Sequence, residues 1–203
     1  MPYHDGPLPN PRGVKLTYDD YAKFPEDRVR HELIDGQHYI TESFGTKHQL
    51  ILGNLVCRIA PWVEDQKIGE LLFAPFDVVF SPVDVVVPDM LYMSKACARR
   101  ILTDANAQGV PDLLIEVAAP NTRRRDETFK RKLYERVGVS EYWVIDPLID
   151  NVHVYRHTGE RFARPVELMS SEGDVLTTSH LPGLAIPLSD IFDMHGMSFP
   201  SWY

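Results

Sequence analysis

The sequence predicts an α+β protein in which a mixed β-sheet is flanked by helices, with an N-terminal β-hairpin and extra strands near the C-terminus. Three observations lead to this class. An Asp-Gly pair separates two short apolar-polar runs near the N-terminus, which is the strongest local signal for a hairpin. A long segment then carries apolar residues at helical spacing. Several short β-rich runs follow, with a second helical segment between them.

The N-terminal segment differs from the rest of the chain. Of the 203 residues, 44% are hydrophobic and 25% are charged, which is typical of a globular protein with one core. Residues 1–15 contain four prolines and no periodicity, so we expect a flexible arm there and a single domain over residues 16–203. Thr17 is suited to cap a short helix, 18–24, which Pro25 would end.

The remaining elements follow from local patterns. The hairpin strands are residues 30–34 and 37–40, around Asp35-Gly36. Residues 47–66 form a long amphipathic helix with a kink at Pro61. The further predicted elements are strands 71–73, 76–80 and 85–93, a short helix 95–102, a central strand 113–117, a helix 126–137 ended by Gly138, and strands 141–145 and 152–155.

Composition excludes several classes of protein. The net charge, 21 − 29 = −8, argues against coating nucleic acid or anionic membrane through the overall field, although a local basic patch is compatible with it. No segment approaches the 18 apolar residues of a membrane span and the polar start lacks signal-peptide character, so we expect a cytoplasmic protein without a membrane partner. Cys57 and Cys97 have no neighbours at zinc-ligand spacing. They could form a single disulfide, but two buried free thiols are favoured.

Two carboxylates interrupt apolar β-runs and are the first candidates for chemistry. Asp89 follows Val85-Val86-Val87-Pro88, and Glu116 interrupts 113–117. A buried carboxylate is costly unless it is paired, protonated or bound to a metal. If the two strands are neighbours, the acids converge, and such oxygen ligands suit Mg²⁺ or Mn²⁺ better than zinc. The alternatives are acids paired with arginines or facing water at strand ends.

Several motifs, in order along residues 17–193, resemble the Uma family of restriction-endonuclease-like proteins in the PD-(D/E)xK nuclease superfamily. The resemblance is carried by His31-Glu32-Leu33-Ile34-Asp35-Gly36, His48, Pro88-Asp89, Pro111 to Thr122, Asp126, Lys130, Tyr134, the block Glu141-Tyr142-Trp143-Val144-Ile145-Asp146-Pro147, and Leu181-Pro182-Gly183. It implies a restriction-endonuclease-like fold and Mg²⁺-dependent hydrolysis of DNA.

The resemblance also implies roles for individual residues. Asp89 and Glu116 would hold one or two divalent ions, with the carbonyl of Val117 as an extra ligand. The superfamily pattern has a lysine two residues after the glutamate, but this chain has Ala118 there. This departure leaves a second function open, namely a nuclease-fold module that binds nucleic acid or protein without catalysis. Hydrolysis of another phosphoester is a third.

A helix lysine could replace the missing one. At 100° per residue, Lys130 lies about 60° from the centre of the apolar stripe of helix 126–137, closer than Lys132. It is also the lysine that matches the family pattern, and it would orient the attacking water and offset charge on the phosphorane. Asp126 would cap the helix and hold Lys130 from one turn away. The alternative for Lys130 is a solvated helix lysine.

Glu32 and His48 complete the predicted catalytic set. By resemblance Glu32 would be a third acid at the metal site, whereas its strand position also allows a surface pair with Arg30. His48 shares a helix face with apolar residues and should point inward, either as a hydrogen-bonded core histidine or as a phosphate or water contact.

A basic run follows Glu116. Seven of the 21 basic residues fall within 123–136, which indicates either a solvated face or phosphate contact beside the metal site. The residues predicted to contact nucleic acid are Arg123, Arg124, Arg125 and Lys132. We further expect a homodimer, because the helix face that carries Trp62 and the late strands have apolar surface to spare.

Overall fold

The computed structural model describes residues 6–9, 13–25, 27, 29–41, 44–119 and 122–196. Within these ranges the chain forms two mixed sheets, a separate strand pair and flanking helices. The elements in chain order are α1 (Tyr18–Tyr21), β1 (Arg30–Ile34), β2 (Gln37–Thr41), α2 (Thr46–Gln66), β3 (Gly69–Phe73), β4 (Val78–Ser81), β5 (Asp84–Val86), β6 (Met90–Ser94), α3 (Lys95–Ile101), β7 (Ala107–Gln108), β8 (Leu113–Val117), a π-helical segment (Arg125–Lys130), α4 (Arg131–Val137), β9 (Glu141–Asp146), β10 (Asn151–Arg156), β11 (Val166–Met169), β12 (Val175–Thr177), β13 (Ala185–Pro187) and α5 (Leu188–Ile191).

The predicted fold class is confirmed. One sheet has the strand order β2-β1-β5-β4-β7, the second has β11-β10-β9-β8-β6-β3, and β12 pairs with β13. No helix in the described ranges is long and apolar enough to cross a bilayer. Residues 1–5 and 10–12 of the predicted N-terminal arm lie outside the described residues, and the single domain over 16–203 stays a prediction.

The N-terminal hairpin has the turn that its sequence requires. Ile34 pairs with Gln37, which leaves Asp35 and Gly36 as a two-residue loop with φ values of +51° and +71°. Both residues are left-handed, the conformation that the right-handed twist of a hairpin favours and that Asp-Gly adopts readily. Strand β1 also pairs with β5, through Leu33 and Val85, so the hairpin is fixed to the first sheet.

Helix α2 matches the predicted amphipathic helix closely. It buries Ile51, Leu55, Ile59 and Val63 against the six-stranded sheet, and His48 lies on the same buried face. The helix continues through Pro61, whose missing N–H removes one helical hydrogen bond. It thus delivers His48 to the interior at its first turns.

The predicted strand 85–93 is wrong as one element. The chain forms β5 in the first sheet, leaves the ladder at Val87-Pro88-Asp89, and enters β6 in the second sheet. Pro88 has no N–H to donate to a ladder, so the run breaks there despite its apolar character. Asp89 therefore lies at the crossing between two sheets and not within a strand.

Strand β8 is central in the six-stranded sheet, as predicted. It lies between β6, antiparallel, and β9, parallel. Met90 pairs with Ile115 and Leu91 with Leu114, so extending this register by one residue brings Asp89 opposite Glu116. The two candidate carboxylates are therefore adjacent.

The predicted helix 126–137 begins differently from the expectation. Its first part, Arg125–Lys130, is π-helical, and the N–H of Arg131 bonds to the carbonyl of Asp126, five residues back. Asp126 lies inside the helix and does not cap it, which corrects the predicted cap. The helix ends as predicted at Gly138, which is left-handed with φ +82°.

Two glycine substitutions should change stability in opposite directions. A Cβ at Gly36 would lie 2.5 Å from Lys15 Cβ, and its φ is positive, so Gly36→Ala should lower the free energy of unfolding by roughly 1–2 kcal/mol. Gly53 lies in α2 with no atom within 4 Å of such a Cβ, so Gly53→Ala should raise it by about 0.5–1 kcal/mol. Urea unfolding of both variants measures the difference, and a destabilised Gly53→Ala would contradict this account.

Candidate active site

Seven charged side chains from four segments meet where the two sheets join. Four are acids and three are bases, and all seven residues have less than about a sixth of their side chain exposed. The acids are Glu32, Asp89, Glu116 and Asp126, and the bases are Arg30, Arg125 and Lys130. We call this set the charge cluster.

Lys130 occupies the middle of the charge cluster. Its Nζ lies 2.7 Å from Glu32 Oε1, 2.8 Å from Glu116 Oε1 and 3.8 Å from Asp126 Oδ1. Glu116 Oε1 also accepts a hydrogen bond of 2.9 Å from the hydroxyl of Tyr134. A hairpin, a central strand and a helix are therefore tied together by one ammonium group.

Three groups hold the Asp89 carboxylate. Its Oδ1 accepts from Arg30 Nη1 at 2.9 Å, and its Oδ2 accepts from the Val117 N–H at 2.8 Å and lies 3.1 Å from His48 Nε2. These are the partners that a carboxylate needs when it leaves water. His48 Nδ1 is buried and has no hydrogen-bond partner in the described part of the chain.

Glu32 faces inward and does not form the surface pair with Arg30. Its Oε1 accepts a hydrogen bond of 2.9 Å from the Val87 N–H, and its Oε2 lies 3.5 Å from Arg125 Nη1. Arg125 also donates to the carbonyl of Ile40 at 3.3 Å. Glu32 thus links the hairpin to the crossing between the sheets.

The acids of the charge cluster divide into two kinds. Burial raises the pKa of Glu116 to about 8, because Lys130 offsets the desolvation only in part. Burial likewise raises the pKa of Asp126 to about 7. Burial alone would also raise the pKa of Asp89, but Arg30, His48 and the Val117 N–H outweigh it and hold that pKa below its usual range.

Glu32 and Lys130 are charged at neutral pH. Burial opposes the ionised form of Glu32, but Lys130, Arg125 and Arg30 lower its pKa below the ordinary value. Burial would lower the pKa of Lys130, but the acids around it raise that pKa above the ordinary value. Lys130 is therefore an ammonium group, able to donate hydrogen bonds and unable to accept a proton.

The π-helical segment explains why residues 125, 126 and 130 are buried together. A π-turn is wider than an α-turn, so Arg125, Asp126 and Lys130 all reach the interior, while the α-helical part buries Leu133 and Tyr134. The α-helical geometry used for the sequence prediction placed Lys130 at the margin of the apolar stripe. The structure places it fully inside.

The residues predicted to contact nucleic acid separate into buried and exposed ones. Arg125 is 1% exposed and paired with Glu32, so it is not available at the surface, which corrects that expectation. Arg124 and Lys132 are exposed. Arg123 is 36% exposed and forms an ion pair with Asp146.

Sequence reasoning missed the partner of Arg30. It considered Arg30 only as a surface partner of Glu32, whereas the guanidinium pairs with Asp89, 59 residues away. The even spacing of residues 30 and 32 on one strand face was the available signal, because it places both side chains toward the same buried acids. Ala118 lies on the same strand face as Glu116 and is buried.

The charge cluster contains the type of oxygen donor that divalent cations take, and it has one acid more than it has bases. Burial is the main cause of the raised pKa of Glu116 and Asp126, and repulsion from neighbouring acids such as Asp89 adds to it. Carboxylate oxygens are the ligands that Mg²⁺ and Mn²⁺ prefer. Among the described residues, no three Asp, Glu, His or Cys side chains are already grouped as a metal site; Asp89 and Glu116 direct oxygens at Arg30, His48 and Lys130.

Two mixed sheets flanked by helices, together with the N-terminal hairpin and the C-terminal strand pair, form a nuclease-like fold. Residues 18–189 match the Uma2 family, described as "putative restriction endonuclease", and the chain belongs to this family. A crystal structure of a "putative nuclease belonging to DUF820" from Anabaena variabilis is similar, with a TM-score of 0.74 and 22% identity over 87% of this chain and 97% of that chain. None of the curated proteins matches the sequence.

The metal-free protein should lose stability as the pH rises from 5 to 9. The pKa of Glu116 is about 8 in the folded state against 4.5 ordinarily, so its contribution is complete below pH 4.5 and disappears as the pH rises through 8. Because one pKa unit corresponds to about 1.4 kcal/mol, we expect the free energy of unfolding to fall by roughly 2 kcal/mol or more. Urea unfolding in EDTA at pH 5, 7 and 9 measures this change.

Glu116→Gln should flatten that pH dependence, because glutamine resembles the protonated acid. The exposed Glu160 provides a matched control, and Glu160→Gln should keep the wild-type slope. A slope in Glu116→Gln as steep as that of the wild type would contradict the raised pKa of Glu116.

Proposed function

We propose that the protein is a divalent-metal-dependent endonuclease that hydrolyses phosphodiester bonds of DNA. The observation that carries the proposal is the position of Lys130, whose Nζ lies 2.8 Å from Glu116 Oε1. The helix thereby places a lysine beside the glutamate of the central strand, although position 118, where the superfamily pattern has its lysine, is alanine. A site that lacked this lysine would have no such cation beside Glu116.

Asp89 and Glu116 are the proposed ligands of Mg²⁺ or Mn²⁺, with Glu32 and the carbonyl of Val117 as further candidates. When bound, such an ion polarises the phosphodiester and lowers the pKa of water. The adjacent positions of Asp89 and Glu116 and the excess of acid in the charge cluster support this assignment.

The protein residues have separate roles in this proposal. Lys130, held as an ammonium group by Glu32 and Glu116, orients the attacking water and offsets negative charge that develops on the phosphorane. Asp126 supports Lys130 from 3.8 Å away. His48 positions the Asp89 carboxylate through its Nε2, and Tyr134 fixes Glu116.

DNA is the proposed substrate, and it would approach along the π-helical segment and the first turn of α4. Arg124 and Lys132 are exposed there, and Arg123 is partly exposed. These residues offer phosphate contacts without reading bases, so they favour affinity over sequence preference. The homodimer and the cytoplasmic location stay predictions.

Lys130→Gln should lower kcat by about 10²-fold or more, as expected for the loss of one preorganised donor at a developing charge. Asp89→Ala should abolish cleavage. The matched control is Lys95→Gln, because Lys95 is exposed on α3 and should leave the rate unchanged. Cleavage of single-stranded, duplex and branched DNA with Mg²⁺ or Mn²⁺ gives the rates; wild-type protein inactive on all three, or Asp89→Ala as fast as wild type, would refute the proposal.

A second candidate function is a nuclease-fold module that binds nucleic acid or protein without catalysis. One observation favours it: the oxygens of Asp89 are already paired with Arg30 and His48, and Glu116 Oε1 is paired with Lys130. An ion must therefore compete with the protein's own bases for these ligands.

Thermal unfolding separates the two functions. If the charge cluster binds metal, Mn²⁺ at about 100 times its Kd should stabilise the protein by roughly 2.7 kcal/mol and raise Tm. Asp89→Ala should remove the increase. An unchanged Tm across millimolar Mg²⁺ and Mn²⁺ would instead support the non-catalytic module.

A further inference from the structure

Arg30 lies between the acids of the charge cluster and a cleft. Its Nη1 donates to Asp89 Oδ1 at 2.9 Å and to the carbonyl of Val87 at 3.0 Å. Its guanidinium carbon lies 4.6 Å from the centre of the Phe44 ring, which also stacks on His48. Backbone, carboxylate and aromatic contacts therefore fix the guanidinium in one place.

Arg30 is the base of the charge cluster that reaches solvent. Its side chain is 14% exposed, against 2% for Lys130 and 1% for Arg125. It borders a cleft of about 600 Å³, and it is the one arginine or lysine among the described residues that line this cleft. The cleft is also bordered by Thr41, Phe44, His48 and Gln49. An anion that enters it meets Arg30 before any other permanent cation of the cluster.

Two acids on the cleft wall are engaged elsewhere. Asp77 Oδ1 accepts a hydrogen bond of 2.9 Å from the hydroxyl of Tyr21. Asp27 Oδ1 accepts one of 2.9 Å from the Val29 N–H and lies 3.2 Å from His31 Nε2. Both acids of the cleft wall therefore have other partners, and the carboxylate that pairs with Arg30 is the buried Asp89.

Arg30 and a divalent cation compete for the same carboxylate. An ion at Asp89 repels a guanidinium 2.9 Å from that carboxylate, and the repulsion is strong because the site is buried. Entry of the ion thus weakens the Arg30–Asp89 pair and leaves a planar, permanently charged donor at the cleft wall. Phosphate oxygens match that donor in charge and in bidentate geometry.

We propose that Arg30 binds a phosphate of the nucleic-acid substrate in this cleft, and that Asp89 holds Arg30 in place until a divalent cation takes over the carboxylate. The inference rests on the proposed function, because it takes Asp89 as the metal ligand. It adds the residue that recognises the phosphate and couples metal binding to substrate binding.

The first test measures nucleic-acid binding without turnover. Fluorescence anisotropy of a labelled single-stranded oligonucleotide, with Ca²⁺ in place of Mg²⁺, gives Kd over a range of salt concentrations. Arg30→Gln should weaken binding by roughly 10-fold or more and reduce the salt slope by about one, as expected for one lost phosphate contact. Arg99→Gln, which makes the same charge change at an exposed position on α3, should stay within about twofold of wild type.

The second test measures metal binding, for which we expect Arg30→Gln to change the affinity in the opposite direction. Without a competing cation at Asp89, Arg30→Gln should bind Mn²⁺ roughly 3- to 10-fold more tightly in a calorimetric titration. A purely structural Arg30 would instead weaken both Mn²⁺ and oligonucleotide binding. Arg30→Lys keeps the positive charge but loses the two parallel N–H donors of the guanidinium, so it should retain the salt slope with intermediate affinity. This variant replaces Arg30→Gln if Arg30→Gln does not fold.

The outcomes separate this inference from the proposed hydrolysis. The inference is overturned if wild type does not bind the oligonucleotide, if Arg30→Gln binds it as Arg99→Gln does, or if Arg30→Gln weakens both ligands. Binding that depends on Arg30 without cleavage of any DNA supports the inference and refutes hydrolysis. If cleavage depends on Asp89 and Arg30→Gln leaves KM unchanged, hydrolysis is supported and the inference is refuted.

Discussion

The buried ammonium group of Lys130 is stable only because the rest of the site surrounds it with acids. A lysine that is 2% exposed would lose its charge or destabilise the fold unless acids surrounded it. Glu32 from the hairpin and Glu116 from the central strand lie within 2.8 Å of its Nζ, and Asp126 lies one helical turn away. Three distant parts of the sequence must therefore come together before this charge is stable, which explains why the hairpin, the sheet and the helix share one junction.

The charge balance at this junction gives the acids different properties. Each base is closest to particular acids: Arg30 to Asp89, Arg125 to Glu32, and Lys130 to Glu32 and Glu116. Glu32 and Asp89 are consequently held ionised, whereas Glu116 and Asp126 hold protons more strongly than usual. Arg30 is the member of this balance that also reaches the cleft, so it links the buried acids to whatever anion the cleft receives.

The features predicted from sequence are those fixed by neighbouring residues. Local chemistry determines the Asp35-Gly36 turn, the amphipathic helix α2, the central strand β8 and the glycine that ends α4. The structure confirms these four features. The crossing at Pro88-Asp89 depends on which sheet each side joins, and the inward side chain of Arg125 depends on a hairpin about 90 residues away. Spacing alone placed Glu116 and Lys130 near the site, but not their ion pair.

Because of the π-helical segment, the side chains that face the interior before Lys130 depend on the exact number of residues in Arg125–Lys130. An α-helix turns by 100° per residue, so removing one residue from Arg125–Lys130 would restore a regular helix and rotate everything before it by about that angle. Arg125 and Asp126 would then leave the interior while Lys130 and Tyr134 remained. A relative that lacks one residue here would therefore have a lysine supported by two acids in place of three.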